Sequence, residues 1–443
     1  MHNSTEGQSD GKPYESILST LVGSLLRQTA DASTSIMLGL YLSYIDAHIH
    51  PVSALQVGLL AVGFNTTTLV FGPVFGALSD IRGRKIFMVL GPLIGAAVVQ
   101  IYPFTAALPL IALALVLEGF TGAFETPSAV GLLADSTPDA SVLRGKAMAL
   151  FEIVSAVGTA SGFLVGGILW DTLGPGAFRV LSIVYMGGAL TFLLGVQEDS
   201  RPAREARRTL RHYGALLASR ELWSFSPAWI GMVSITTVWL SQVPFQLSRE
   251  LTVGGQSLMG EFSGTTISMI LLIVGIAITA GMYTWGSISA RFDKVNIMLL
   301  SMIGVYGLCI ALYFLNHADL TSLSLVRLPV VGAFLMMLAA IFIASGFAPV
   351  ALAHLSGISD KTSADRGIVM GMYLGVLLGG GRILGSWLAG VFADWQGIDG
   401  MILLTAALAS LAFVNIVWIK VCPQRKRSCS EPPLRGEALK ESK

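Results

Sequence analysis

Long apolar runs alternate with short polar connectors along the chain. The runs cover residues 16–44, 53–78, 86–105, 108–133, 147–170, 178–196, 222–247, 264–289, 297–316, 328–355, 367–393 and 400–421. A helix needs about 20 apolar residues to cross a bilayer, so each run predicts one transmembrane helix, about twelve in all. Outer-membrane barrels are instead written as alternating segments of about ten residues, and that pattern is absent from the sequence. The expected fold class is therefore all-α and integral to a membrane.

Composition supports this reading. Of 443 residues, 53% are hydrophobic and 12% charged, with a mean hydropathy of +0.70, whereas a soluble domain carries about 25% charged residues. A soluble enzyme is excluded, and a net charge of +1 argues against both disorder and nucleic-acid binding. The sequence has no Gly-x-x-x-x-Gly-Lys-Ser/Thr loop, so an ion gradient is the expected energy source. Cys309 falls in a span and Cys422 and Cys429 at a cytoplasmic end; no disulfide, metal site or cofactor is implied.

Lys and Arg stay on the cytoplasmic side of membrane proteins. With the amino terminus inside, 23 of the 28 basic residues fall on that side, Arg179, Arg249 and Arg327 fall outside, and Arg27 and Arg382 lie within spans. Both termini are expected in the cytoplasm, and the short loops and tails favour a bacterial inner membrane. The chain then divides into a tail (1–15), a six-helix half (16–196), a basic linker (197–221), a second half (222–421) and a second tail (422–443). In the linker, Arg204, Arg207, Arg208 and Arg211 recur at helical intervals beside Leu210, Tyr213 and Leu216. An interfacial helix on anionic inner-leaflet lipid and a solvated connector both fit. Asp46, His48 and His50 read as an exposed loop rather than a metal site.

The connector between the second and third runs is Gly76-Ala77-Leu78-Ser79-Asp80-Ile81-Arg82-Gly83-Arg84-Lys85. One carboxylate and three cations in a tight turn suit helix ends held by charge and hydrogen bonds. The connector recurs in weakened form at 286–294, with Ala290 where the first copy has Asp80. Arg144-Gly145 before the fifth helix matches Arg366-Gly367 before the eleventh, and Gly167-Ile168-Leu169-Trp170-Asp171 aligns with Gly390-Val391-Phe392-Ala393-Asp394. Duplicated halves are a device of transporter folds.

This connector resembles the loop signature of the major facilitator superfamily (MFS), and the resemblance covers about 16–421. It implies the MFS fold, two pseudo-symmetric six-helix halves whose helices one, four, seven and ten line a central cavity, and a transporter rather than an enzyme. It also implies a cytoplasmic gate built on Gly76, Asp80, Arg84 and Lys85, with Asp135 as acidic partner and Arg144 and Arg366 at the repeat positions. In the family this latch joins the halves and favours the outward-facing state. Gly158, Gly162, Gly166 and Gly167 on the fifth helix look like the antiporter signature of the family, while plain close packing of small residues explains them equally well.

An ionisable residue inside a span costs at least about 2.5–3.5 kcal/mol in hydrocarbon and marks a functional candidate. On the first helix Ser24, Arg27, Gln28, Asp31 and Ser35 share one face; on the fourth, Glu118, Thr121, Glu125 and Ser128 repeat the pattern. A rise of about 1.5 Å per residue puts Arg27 level with Glu125, and Asp31 level with Glu118. Arg27 is expected to pair with Glu125 or Asp31, leaving two carboxylates in excess. Asp31 or Glu118 is expected to carry a coupling proton, and Glu125 to hold Arg27 or substrate. The seventh helix adds Trp239, Gln242 and Gln246, and the tenth is mainly apolar, which suggests an amphiphilic substrate. Arg382 on the eleventh helix matches Asn65 in depth; a hydrogen bond to Asn65 or to its neighbours Thr66 to Thr68, made in one state only, and direct contact with an anionic substrate are both open.

These readings point to a monomeric secondary carrier of a small molecule, with proton-coupled export by antiport as the leading expectation. Import by symport and a non-transporting receptor or assembly platform on the same fold are the alternatives.

Overall fold

The computed structural model describes residues 11–136, 141–197, 220–250, 254–289, 291–318, 327–362 and 372–428. Its regular elements are helices: α1 Gly11–His48, α2 Ala54–Arg82, α3 Arg84–Val98, α4 Leu108–Asp135, α5 Ser141–Leu173, α6 Ala177–Gly195, α7 Arg220–Ser248, α8 Gly264–Ile288, α9 Lys294–Asn316, α10 Arg327–Ala344 and α11 Phe347–Thr362. A π-helical turn, Met372–Leu377, leads into a helix spanning Leu378–Ser428. That helix leaves helical geometry at Gln396 and Gly397 (φ 61°), so it comprises two elements, α12 (378–395) and α13 (398–428). Helices α10 and α11 are one crossing interrupted at Ser345 and Gly346, where a Cβ on Gly346 would lie 2.7 Å from the Trp285 ring.

Nine described stretches are long and apolar enough to cross a membrane. Two of these, Lys146–Gly195 and Gly375–Val421, each hold two crossings, and α1, whose polar face dilutes its apolar character, supplies the twelfth. Helices outlast the apolar runs where local chemistry supports their ends. Ser53 forms a capping box with Gln56 at the start of α2. Gly83, at φ 97°, makes the sharp turn into α3 that a side chain would resist. The linker residues 198–219, with the lipid-binding arginines expected there, lie outside the described residues.

Helices α1–α6 pack as one bundle and α7–α13 as another, joined by α1 against α7, α2 against α12 and α5 against α8. The glycines of α5 set how α1 sits. A Cβ at Gly158 would lie 2.8 Å from Gln28 Cβ, and one at Gly162 or Gly166 would overlap the Thr29 carbonyl or the Ser33 backbone and Ile36. Ser33 Oγ donates to the Gly162 carbonyl at 2.7 Å. Plain close packing thus accounts for this stripe, and it turns the polar face of α1 towards α4 and the seam between the halves.

Candidate functional site

Arg27 is buried (2% exposed) and sits between two carboxylates. Its Nη1 donates to Asp31 one turn along, and its Nε lies 2.7 Å from Glu125 Oε2 on α4. Ser24 Oγ donates to the other Glu125 oxygen at 2.5 Å, and Arg27 Nη2 donates to Gln28 Oε1 at 3.0 Å. The two expected pairings of Arg27 are therefore made together. Thr126 Oγ1 also donates to Glu125 Oε2 at 3.3 Å, and two tyrosines outside the sequence-based candidates reach the other carboxylates: Tyr185 on α6 donates to Asp31 Oδ1 at 2.7 Å, and Tyr102 donates to Glu118 Oε2 at 2.6 Å. A buried phenol needs a partner, and only the folded arrangement shows that a carboxylate supplies it.

Asp31 and Glu118 open onto a cavity of about 370 Å³ at the seam, within the range of about 300–1,000 Å³ common for small-molecule sites. Its walls include Phe64 of α2, Phe163 of α5 and Leu240 of α7, together with Arg382 of α12. In this conformation Arg382 makes no bond to Asn65, whose Nδ2 donates to Ser386 Oγ at 3.2 Å and to the Ala61 carbonyl at 2.9 Å; a bond confined to the other state is not tested by it. Equal depth fixes height along a helix and not direction around it. Arg382 faces the cavity instead, so the expected balance of three carboxylates against one cation becomes three against two. Gln242 and Gln246 are not in the cavity wall. Gln242 Nε2 donates to the Ala54 carbonyl across the seam at 3.0 Å, and Gln246 is fully buried.

The two ends of the seam differ. On the side of the α1–α2 connector, the His50 side, Asp171 at the end of α5 accepts from the backbone N–H groups of Gly264 (2.8 Å) and Thr265 (2.7 Å) at the start of α8. Asp394 at the end of α12 accepts from Ala54 N at the start of α2 at 2.6 Å. These are the aligned aspartates of the sequence repeat, each satisfying helix-start donors of the opposite half. Arg249 adds an ion pair to Asp46 at 3.1 Å. On the opposite side, the Gly83 side, Arg84 Nη2 lies 2.8 Å from Asp80 Oδ1 and 3.0 Å from Asp135 Oδ2. The expected partnership of Asp80, Arg84 and Asp135 is thus made, but all three belong to the first half. A Cβ at Gly76 would lie 3.3 Å from Pro127 Cβ, so this residue serves the close approach of α2 and α4. Lys85 is half-buried beside Arg84. The side chain of Arg144 and the whole of Arg366 and Ala290 lie outside the described residues.

A two-bundle helical membrane protein with a largely apolar cavity at the seam that carries a few charged groups, sealed at one end by groups exchanged between its halves, has the build of a transporter. The sequence profile of the Major Facilitator Superfamily matches residues 20–345. The chain belongs to that superfamily, a family of multi-pass membrane transporters and not of enzymes. Multidrug resistance protein MdtG of Enterobacter lignolyticus is 26% identical over 296 residues, 64% of this chain and 66% of that protein. The class H tetracycline resistance protein of Pasteurella multocida is 26% identical over 279 residues, 60% of this chain and 65% of that protein. The chain thus spans just under two thirds of these relatives. The nucleoside transporter NupG superposes with a TM-score of 0.71 at 14% identity, covering 91% of this chain and 98% of that one. A bacterial homologue of the human lysosomal transporter Spinster, inward-facing and occupied, gives a TM-score of 0.71 at 15% identity, covering 95% and 99%.

Proposed function

We propose that this chain exports a small amphiphilic solute from a bacterial cell by alternating access, driven by exchange for protons. The observation that carries the reading is the buried cluster of Arg27, Asp31 and Glu125, with Glu118 beside it, opening onto the cavity at the seam. Arg27 holds Asp31 and Glu125, so Asp31, which is partly exposed to the cavity, and Glu118 are the groups placed to exchange a proton. The positive-inside bias supports cytoplasmic termini, with the Gly83 side facing the cytoplasm and the His50 side facing out. In that orientation the seal on the His50 side corresponds to an inward-facing state, and the fold likeness to an inward-facing structure agrees with it. Relatives named for multidrug and tetracycline resistance support efflux.

The test is reconstitution into proteoliposomes carrying a pH gradient, with drug-like amphiphiles of each charge as probes. The expected result is uptake coupled to proton counterflow, lost in Asp31→Asn or Glu118→Gln. Intact pH-driven flux in both variants would remove the coupling assignment. Proton movement in the same direction as the solute would establish symport instead, and no solute movement would leave a receptor or assembly platform.

A further inference from the structure

We propose that the cavity selects organic anions: amphiphiles whose acidic group pairs with Arg382 while their apolar body lies against Phe64, Phe163 and Leu240. This rests on reading the cavity as the substrate site of a transporter and names the substrate class of that site.

The argument is one of unmet bonding capacity. Arg27 and the three carboxylates at the site already have hydrogen-bond or ion-pair partners inside the protein. Asp31 accepts from Tyr185 and Arg27, Glu125 accepts from Ser24 and faces Arg27, and Glu118 accepts from Tyr102. Arg382 is the exception: its side chain is exposed to the cavity, and among the described residues it has no hydrogen-bond or ion-pair partner. A guanidinium offers five donors in a planar fork that fits a carboxylate, phosphate or sulfonate. It lies about 20 Å from the His50-side end of α12 at 1.5 Å per residue, deep in the span, where an unmatched charge is costly. The chain around it is shaped to keep it there. A Cβ at Gly381 would lie 2.8 Å from Val233, and one at Gly385 would lie 2.7 Å from the Ser234 carbonyl. Ser234 Oγ donates to the Gly381 carbonyl at 2.9 Å. This backbone contact locks α12 against α7 and turns Arg382 away from it. A cationic ligand would meet carboxylates whose donors are already in place; an anionic one meets the single group whose donors are not.

Binding of three probes with the same ring system, 2-naphthoate, 2-naphthamide and 2-naphthylmethylammonium, is measured calorimetrically on the full chain in nanodiscs of phosphatidylcholine alone, which keeps anionic headgroups out of competition. The expected result is that naphthoate binds at least about tenfold more tightly than the other two, the scale of a charge-assisted hydrogen bond. Arg382→Gln should bring naphthoate to the level of naphthamide without changing naphthamide binding, and Arg382→Lys should keep part of the preference. Equal or tighter binding of the amide or the ammonium to the unaltered protein overturns the proposal without any variant, as does a naphthoate preference that survives Arg382→Gln. Arg382-dependent binding without flux in proteoliposomes would leave the site standing and remove the carrier reading. Flux of the amide and the ammonium but not of naphthoate would do the reverse.

Discussion

On the His50 side the two halves exchange groups: Asp171 of the first caps α8 of the second, Asp394 of the second caps α2 of the first, and Asp46 meets Arg249. On the Gly83 side, among the described residues, the charged partnership of Asp80, Arg84 and Asp135 stays within the first half. The difference separates contacts that hold a state from contacts that hold a fold. A helix cap is worth about 0.5–2 kcal/mol, and the Asp46–Arg249 pair, whose side chains are 17% and 13% exposed, adds a further contribution to the seal. Several such contacts give a seal of a few kcal/mol, the range in which two conformations can both be populated. The buried ion pairs of Arg27 are of another order, since removing one partner of such a pair costs about 3–5 kcal/mol. The cavity wall of the first half is thus built to persist, and the seal beside it to open.

The severest way to break this contrast is to obstruct the sealed end. A Cβ at Gly167 would overlap Ser268 Oγ and the Gly264 carbonyl, and a backbone carbonyl at the start of a helix has little room to retreat. Overpacking of this kind costs about 1–3 kcal/mol, so Gly167→Leu should depopulate the sealed arrangement by about tenfold or more. Labelling of Ser35→Cys, on the cavity wall, by an impermeant maleimide added from the His50 side reports it. Labelling no faster than in the parent would mean that α5 and α8 do not form the seal.

The caps should give a smaller and graded effect. Asp171 accepts two backbone N–H groups and Asp394 one, so Asp171→Ala should open the His50 side more than Asp394→Ala. Each change is about 0.5–2 kcal/mol, and the double variant should approach their sum because the sites share no partner. Asp80→Ala is the control from the other end and should leave the same labelling rate unchanged. An effect of Asp80→Ala as large as that of Asp394→Ala would erase the distinction between the two ends.

How much of this could be read from the chain follows from what a one-dimensional pattern encodes. Span length fixed the number of crossings, and rise per residue placed Arg27 level with Glu125 well enough to foresee their ion pair. Depth says nothing about azimuth: equal depth alone does not show that Arg382 faces the cavity, or that Gln242 bonds to the Ala54 carbonyl and not to the cavity. Tyr102 and Tyr185 escaped notice because a phenol bound to a carboxylate and a tyrosine at a lipid interface look alike in an apolar run. Asp171 and Asp394 were visible as a repeat, but their role depends on α5 meeting α8 and α2 meeting α12, contacts far apart in sequence. Arg249 likewise reads as a loop cation until Asp46 is seen beside it.

The gentlest probe of the sealed side is pH. His50 in the α1–α2 connector has Nε2 2.9 Å from the Ala106 carbonyl and Nδ1 3.3 Å from the Pro51 carbonyl. Only the imidazolium can donate through both nitrogens. The carbonyl of Ala106, then that of Pro51, with a smaller contribution from nearby Asp46, holds the ring above the usual histidine value. A group whose pKa is raised by folding adds stability that is fully present below its unfolded value, about 6.5, and lost as pH rises through the raised one. The tie between the α1–α2 and α3–α4 connectors should therefore loosen as pH rises through the raised value, above the usual histidine value of about 6.5. Val52 N, bonded to Asp46 at 2.8 Å, provides an internal reference that does not depend on the imidazole donors. Amide hydrogen exchange, corrected for the intrinsic effect of pH, should show protection at residues 49–50 and 105–107 falling as pH rises above about 6.5. In His50→Gln that fall should vanish, because the amide keeps one donor group at every pH in this range. An identical pH profile in the two proteins would assign the loosening to another group and leave the seal on this side to its aspartates and Arg249 alone.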